Sequence, residues 1–387
     1  MIRLILLIDF TETYATELLR GILDYSQSHE PWVICRMPPS YRVEHGIEGV
    51  LQWARQWKAD AIIGQFNNND DVSVFAENGI IALAQDFIQR FQKIPNITGD
   101  YIGQGNLAAE FFIKKGFRSF AFYGYANAVW SQERCKGFSD TIKSYGYHSP
   151  SIYIKQSLEY LWYYDLEPLA EWLRKLPSST AILACDDTRA SVILEVCRIL
   201  RIKVPSEIAV LGVDNDEITC TLTYPLLSSI SLDVRRAGYN TAQYIDHVLN
   251  HNYKRVDNIM VDYMAVIERQ STDIFMTSNK HILTVLSFIH QFYADNLSVE
   301  RLLKLVPMSR RLLEKTFKAE TGTSIHQYIL DLRFEHMKHK LVSTDTPIAE
   351  LALLTGLSDA KNVASMFKKR MGITPLEYRD KHRCEHT

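Results

Sequence analysis

Residues 309–322 read SRRLLEKTFKAETG, and residues 348–372 read IAELALLTGLSDAKNVASMFKKRMG. In the first stretch Ser309 is a helix N-cap, since its hydroxyl can accept from backbone N–H groups of the first turn, and Gly322 is a helix-ending glycine. Between them Leu313 and Phe317 fall four apart on one face, while Arg310, Arg311, Glu314, Lys315 and Lys318 fall on the other. Upstream, residues 298–305 predict a short helix with Leu302 and Leu305 inward, and Pro307 marks the turn. The second stretch repeats the plan: Ile348, Leu351 and Ala352 inward, Gly356 at the turn, and Ser358 or Asp359 capping a helix that runs through Arg370.

Each stretch is helix, tight turn, helix, so the pair predicts contact with DNA at two successive places. Arg and Lys early on such a helix reach guanine edges or phosphates. In the first unit those residues are Arg310, Arg311 and Lys315, with Glu314 on the same outward face; in the second, Lys361, Asn362 and Ser365 face the groove and 368–370 lie near the backbone. Between the units, residues 325–341 predict one long connecting helix. Two readers on adjacent major grooves must lie about one helical turn, ~34 Å, apart, and a rigid connector sets that spacing. A helical bundle that never touches nucleic acid shares this amphipathic pattern.

The net charge of −2 conceals an asymmetry. Residues 278–387 carry 17 Lys and Arg against 12 Asp and Glu, a balance of +5, whereas the preceding residues carry 26 against 33, a balance of −7. A basic tail on an acidic body fits the footprint of a phosphate-binding module, and on charge alone it fits a solvated basic surface equally well. At 387 residues the chain has room for two or three domains. Its six cysteines (35, 135, 185, 197, 220 and 384) show no Cys-x-x-Cys or zinc-type spacing, so neither a disulfide framework nor a metal is expected. The apolar run at 2–8 is cut by Asp9 and reads as a strand, and no run reaches the ~18 apolar residues of a membrane span. A cytoplasmic protein is expected.

Before the tail, short apolar runs alternate with amphipathic stretches of helical length, which predicts an α/β body with parallel sheets. One series runs from the strand at 2–8 to the helix at 101–115, and a second from the strand at 119–123 to the strand at 208–213. They read as two equivalent lobes. Ligands of such sheets bind at the carboxyl ends of strands. There stand Asp9, the polar run from Gln65 to Asn69, Asp100, Asp186, Asp187, Asp214, Asn215 and Asp216, with the aromatics Phe10, Tyr14, Phe66, Tyr125 and Trp130 among them. Carboxylates and amides accept from hydroxyls, ring faces exclude water, and Arg134 adds a multi-donor fork, a combination suited to a neutral polyol such as a sugar. Each residue also has a plainer reading. Asp187 and Asp100 serve equally as caps of the helices that follow them, Phe66 as core, and Arg134 as an ion-pair arginine.

Asp186 with Asp187, and Asp214 with Asp216, are the carboxylate pairs that a sugar-modifying enzyme would need. No nucleophile elbow, phosphate loop, dinucleotide fingerprint or His-Glu-x-x-His accompanies them. The chain is therefore read as a non-enzyme without cofactor.

LEKTFK at 313–318, GTSIHQYI at 322–329, Arg333 and MFKKRMGITPLEYR at 366–379 resemble the AraC-type DNA-binding domain. The resemblance covers about 105 residues and implies a transcription regulator, with Arg311, Glu314 and Lys315 reading one groove and Lys361, Asn362 and Ser365 the next. Leu357 and Val363 stand where that family usually has aromatics, and Leu303 and Met337 where it has small residues. FAFYG at 120–124, WSQER at 130–134, GVDNDE at 212–217 and VIERQSTD at 266–273 resemble the LacI-like, periplasmic-binding-protein fold.

The double resemblance implies a sugar-responsive regulator of a pentose operon, a xylose operon among the candidates, with an effector held by Asp187, Asp214 and Arg134 from one lobe and Asp9, Phe10, Phe66 and Asp100 from the other. A different sugar remains the alternative. It also implies three crossovers between lobes, with the helix at 234–250 returning to the first lobe and 259–268 to the second. The expected division is a sensor at 1–273 (lobe one 1–116 and 230–256, lobe two 117–229 and 257–273), a linker at 274–281 and a DNA-binding domain at 282–387. Expected partners are operator DNA, the sugar, a second copy of the chain and, for an activator, RNA polymerase.

Overall fold

The structure, a computed structural model, describes residues 1–86, 88–155, 166–251, 256–275, 277, 279–344, 346–357 and 360–382. The body opens with β1 (Arg3–Leu7), α1 (Thr13–Gln27), β2 (Val33–Met37), α2 (Pro39–Trp57), β3 (Ala61–Gly64), α3 (Ser73–Glu77), β4 (Ile81–Gln85) and β5 (Asn96–Gly99). It continues through α4 (Tyr101–Lys114), β6 (Ser119–Tyr125), α5 (Val129–Ser144), β7 (Ser151–Lys155), α6 (Glu167–Lys175), β8 (Thr180–Ala184), α7 (Asp187–Leu200), β9 (Ile208–Asp214), α8 (Glu217–Leu222), β10 (Ser228–Leu232), α9 (Val234–His251), β11 (Ile259–Val261) and β12 (Tyr263–Ile267).

The strands form two six-stranded sheets, ordered β11-β5-β4-β3-β1-β2 and β12-β10-β9-β8-β6-β7. The registered pairs are parallel except β10 with β12. Strands β3, β5 and β8 are buried at every residue. Helices on both faces of each sheet require such near-continuous apolar runs, because no face is left for water. Among the described residues no helix is long and apolar enough to cross a membrane.

Each lobe takes a helix from the other half of the chain. Ala108, Ala109 and Phe112 of α4 lie in the core of the second lobe with Phe120, Phe122 and Phe138. Val234, Ala237, Ala242 and Ile245 of α9 lie in the core of the first, with Leu18 and Ile22 of α1. Glycines let both helix pairs approach this closely. A Cβ at Gly105 would sit 2.2 Å from the Arg134 carbonyl oxygen of α5, and one at Gly21 would sit 1.8 Å from the Arg235 carbonyl oxygen of α9.

Three expected boundaries are corrected. Residues 101–114 pack with the second lobe, not the first; residues 230–232 are the end of β10, in the second sheet; and residues 259–261 form β11 on the edge of the first sheet, so 259–268 is divided between the lobes. Strand β11 and helix α4 look locally like any other strand and helix. Which core accepts them depends on small-residue faces and free sheet edges that lie far away in sequence.

After a short 3-10 turn at Gln270–Thr272 comes the helical domain: α10 (Lys280–Gln291), α11 (Val299–Leu303), α12 (Arg310–Thr321), α13 (Ile325–Ser343), α14 (Ile348–Leu354), α15 (Ala360–Met371) and α16 (Pro375–His382). It has two cores. Ile282, Val285, Leu302, Leu313, Phe317, Ile325 and Ile329 form one, and Phe334, Met337, Leu351, Leu357, Val363, Phe367 and Tyr378 the other. The apolar residues of α13 change face midway, so this one helix is shared by both cores and joins them.

Candidate ligand cleft and DNA-reading face

The carboxyl end of β9 turns sharply at Asp214, whose φ of 102° lies in the left-handed region. Its carboxylate is 3.7 Å from Arg134 of α5. Arg134 is 3% exposed and held from several sides: Nε donates to Gln104 Oε1 at 2.6 Å, an NH donates to the Cys185 carbonyl at 2.5 Å, and the guanidinium lies over the rings of Tyr101 and Trp130 at 5.3 and 5.4 Å. A cation held on so many sides is pre-organised, and a ligand oxygen meeting it costs little further entropy.

Across from it, directly after β4, stands Asp86, which is also buried. Thr98 Oγ1 donates to Asp86 Oδ2, and Arg90 Nε donates to the same oxygen at 3.1 Å. Asp86 Oδ1 is buried without a well-formed hydrogen bond among the described residues. Burial pushes the Asp86 carboxyl up to about 6, against Thr98, Arg90 and Tyr101, which favour the charged form. Asp214 is likewise pushed up to about 6 by burial, with Arg134 pulling the other way. The phenol of Tyr14, from α1, is held far above the usual tyrosine range by burial and by its neighbours Tyr101, Asp86 and Asp214. First-lobe Tyr14 and Asp86 and second-lobe Arg134 and Asp214 therefore share one electrostatic neighbourhood. Further contacts span the lobes beside it: Arg90 donates to both Glu133 oxygens at 2.7 Å and lies over the Tyr101 ring at 5.4 Å, and Thr13 donates to Asp216.

The remaining expected ligand residues have other partners. Phe66 does not line a cleft; it is 1% exposed and packs against Phe75 and Phe91, so it is a core residue. Phe10 is half-buried against the first-lobe core, with the Arg36 guanidinium over its ring. Asp9 accepts from the backbone N–H and hydroxyl of Thr11, closing the β1–α1 turn. Asp100 is exposed and caps α4 through the Gly103 N–H. Asp187 accepts from the Asp216 N–H at 2.8 Å and the Cys220 thiol, and so shapes the turn that presents Asp214. The cap of α7 is Asp186, not Asp187. Asp86 obeys the same strand-end rule as the others, standing directly after Gln85 at the end of β4, yet it is absent from the candidates read from sequence.

In the helical domain Ser309 caps α12 by accepting from the Leu312 N–H, and Gly322, Gly356 and Gly372 end or turn helices at positive φ. Arg311, Glu314 and Lys315 are exposed on the face opposite Leu313 and Phe317. Arg310 is exposed too, but its guanidinium is bonded to Glu300 at 2.9 Å and Glu314 at 3.0 Å. Ser365 is exposed on α15. The side chains of Lys361 and Asn362, and the caps expected at Ser358 and Asp359, lie outside the described residues. Leu357 and Val363 fill the second core in place of aromatics. The turn of the second unit seats on the first, since a Cβ at Gly356 would meet the Ala294 carbonyl at 2.6 Å, and Arg333 of α13 donates to the flanking carbonyls of Tyr293 and Asp295.

Comparison with known families matches residues 109–272 to the periplasmic binding protein-like domain and residues 302–381 to a helix-turn-helix domain. The chain is 29% identical over 390 residues to the xylose operon regulatory protein of Escherichia coli strain K12, covering 98% of this chain and 97% of that protein. It is 28% identical to the protein of the same name from Haemophilus influenzae, with 97% and 98% covered. Among solved structures, a xylose-binding transcription activator, xylR, matches with a TM-score of 0.59 and 28% identity over 98% of both chains.

Proposed function

We propose that this homologue of the xylose operon regulatory proteins, an AraC-type DNA-binding regulator with a sugar-binding sensor domain, takes a pentose as its effector, xylose first among them, between the two lobes of its sensor. The observation that carries the reading is the convergence of Tyr14 and Asp86 from one lobe on Arg134 and Asp214 from the other. Two carboxylates that accept from hydroxyls, an arginine that donates to ring or hydroxyl oxygens, and the rings of Tyr101 and Trp130 form a polar lining with apolar walls. Both carboxylates are mostly ionised at neutral pH and accept at full strength.

The sugar stabilises the closed lobes because only that form brings both halves of the lining to it. A ligand biases such an equilibrium by its differential affinity alone, here about 1 to 3 kcal/mol. Closure then changes the pose of the two readers on operator DNA, with Arg311, Glu314 and Lys315 in one groove and Lys361, Asn362 and Ser365 in the next. Two copies of the chain occupy paired sites in the cytoplasm, and at an activated promoter the bound dimer meets RNA polymerase.

A thermal-shift screen over pentoses and hexoses tests the effector, since only a sugar bound by the folded state raises the midpoint. A midpoint rise with xylose and none with glucose is expected. A hexose that stabilises more than any pentose would replace the effector assignment. Operator affinity should fall steeply with salt as phosphate contacts release counterions. Conversion of labelled pentose by the purified chain would favour the sugar-modifying enzyme instead.

A further inference from the structure

A buried lysine stands where the sensor meets the helical domain. Lys115 follows the last turn of α4, is 4% exposed, and pairs its ammonium with the Glu268 carboxylate just beyond β12. Lysine is almost never this buried without a partner, and a plain structural joint is made as well by apolar residues of the same volume. The same ammonium lies over the rings of Phe111 at 5.3 Å and Phe275 at 4.6 Å. Phe275 belongs to the stretch expected to be linker, yet it is buried in the first core of the helical domain.

From Phe275 the contacts continue into that domain. Its ring meets His290 of α10 edge-on at 4.6 Å, His290 Nε2 is 2.9 Å from the Tyr328 hydroxyl of α13, and Tyr328 packs edge-on at 5.5 Å against Phe317 of α12. Phe317 is on the buried face of the helix whose exposed face carries Arg311, Glu314 and Lys315. Burial, followed by Lys115 and His336, drives His290 down to about 3, so the ring is neutral and has one donor and one acceptor nitrogen.

The sensor end of this series is placed to feel closure. Helix α4 and strand β12 each begin immediately after a crossover between lobes, α4 after Asp100 and β12 after Asp262, and both pack with the second lobe. The other unit of the helical domain lies toward the crossovers themselves, where Asp233 and Asp262 contribute to the raised pKa of Tyr378 on α16, behind burial and Glu335. A rotation of one lobe on the other therefore moves the two units by different amounts.

We propose that Lys115 and Phe275 are positioning residues that bolt the first DNA-reading unit to the second lobe, so that sugar-driven closure is delivered to α12 through His290 and Tyr328. This rests on the sensor reading above, and it names the regulation of that same site. Neither residue touches sugar or DNA.

The test compares full-length wild type with Lys115→Met, Lys115→Arg and Phe275→Ala, measuring sugar binding by calorimetry and operator affinity with and without xylose. Wild type should show a ratio of the two affinities between about 5 and 150. Lys115→Met and Phe275→Ala should bind sugar and unliganded operator as wild type does, while the ratio falls to about 1. Lys115→Arg, which keeps the charge and the stacking, should restore most of it. A wild-type ratio in both disruptive variants overturns the joint, whereas a wild type indifferent to every sugar strikes at the sensor reading instead. Should the variants fail to melt cooperatively, hydrogen exchange on wild type decides the matter. Sugar should alter exchange of amides in 286–292 and 325–330, and no change there overturns the proposal.

Discussion

Arg90, on the loop after β4, forks onto Glu133 of α5 with both N–H···O distances at 2.7 Å, and this ion pair joins one lobe to the other. Both side chains are partly exposed, so the pair is worth about 1 kcal/mol at most. Lobes that part between these two residues lose it. Glu133→Gln should leave every group of the proposed lining in place yet weaken sugar binding about fivefold, because closure becomes costlier. Calorimetry reads this directly, and an undiminished affinity would remove the pair from the closing equilibrium.

Asp86 and Asp100 separate a ligand role from a capping role. Removing Asp86 should cost at least tenfold in sugar affinity, since hydrogen bonds to a charged group are worth about 1.5 to 3 kcal/mol. Asp100→Ala should leave affinity unchanged and cost about 1 kcal/mol of stability through the lost cap on α4. The reverse pattern would return the first-lobe assignment to Asp100.

The carboxyls of Asp86 and Asp214 stand at about 6, above the ordinary 3.8. A carboxyl raised on folding contributes stability that is complete below its unfolded pKa and is lost as pH climbs through the folded one. The unliganded protein should therefore lose stability between about pH 4 and 6.5 from these two groups, and Asp86→Asn with Asp214→Asn should flatten that slope. Sugar affinity should change in the opposite sense and rise over the same window, as ionised carboxylates accept hydroxyls better. Affinity independent of pH from 5 to 7.5 would mean that neither carboxylate accepts from the sugar.

Gly21 and Gly105 mediate matching helix crossings, one in each lobe. Alanine at either position meets a backbone carbonyl, which a rotamer change cannot relieve, so each substitution should cost about 1 to 3 kcal/mol in denaturant unfolding. They should differ in function. The carbonyl that Gly105→Ala would displace is that of Arg134, so this variant should also weaken sugar binding, whereas Gly21→Ala should not. Equal loss of affinity in both would show that the effect is general destabilisation.

Arg310 and Arg311 are neighbours on α12 with unequal expectations. Arg311→Ala should weaken specific operator binding by about 1 to 3 kcal/mol and relax preference at one base pair. Arg310 is already occupied by Glu300 and Glu314. Its loss should act mainly by freeing Glu314, with a smaller effect on affinity. Footprints at matched salt on single-base operator variants would rank the two.

Both readers were legible in sequence because everything that marks them is local. Ser309, Leu313, Phe317 and Gly322 fall within four turns of one helix, and helical spacing alone sorts buried from exposed. The alternation of strand and helix in the body was legible for the same reason, as were Asp214 and Arg134 as candidates. Asp86 was missed because its recognition needs the end of β4, and in sequence that end is blurred by the apolar Phe87 and Ile88 that follow at once. Phe66 was misplaced because a ring after a strand reads alike whether it turns toward the cleft or into Phe75 and Phe91.

By itself, then, the sequence determined two helix-turn-helix units on one shared helix behind a two-sheet α/β body, since period, caps and turn residues act over a few neighbours. Tertiary structure alone decided which partners distant groups would find. It placed α4 in the second lobe and α9 in the first, set Asp86 and Asp214 around the one phenol of Tyr14, tied Arg310 to Glu300, and set Lys115 between Glu268 and Phe275. Each of these depends on pairing and close packing between segments far apart in the chain, where a few glycines and free sheet edges choose among partners that look equivalent along the sequence.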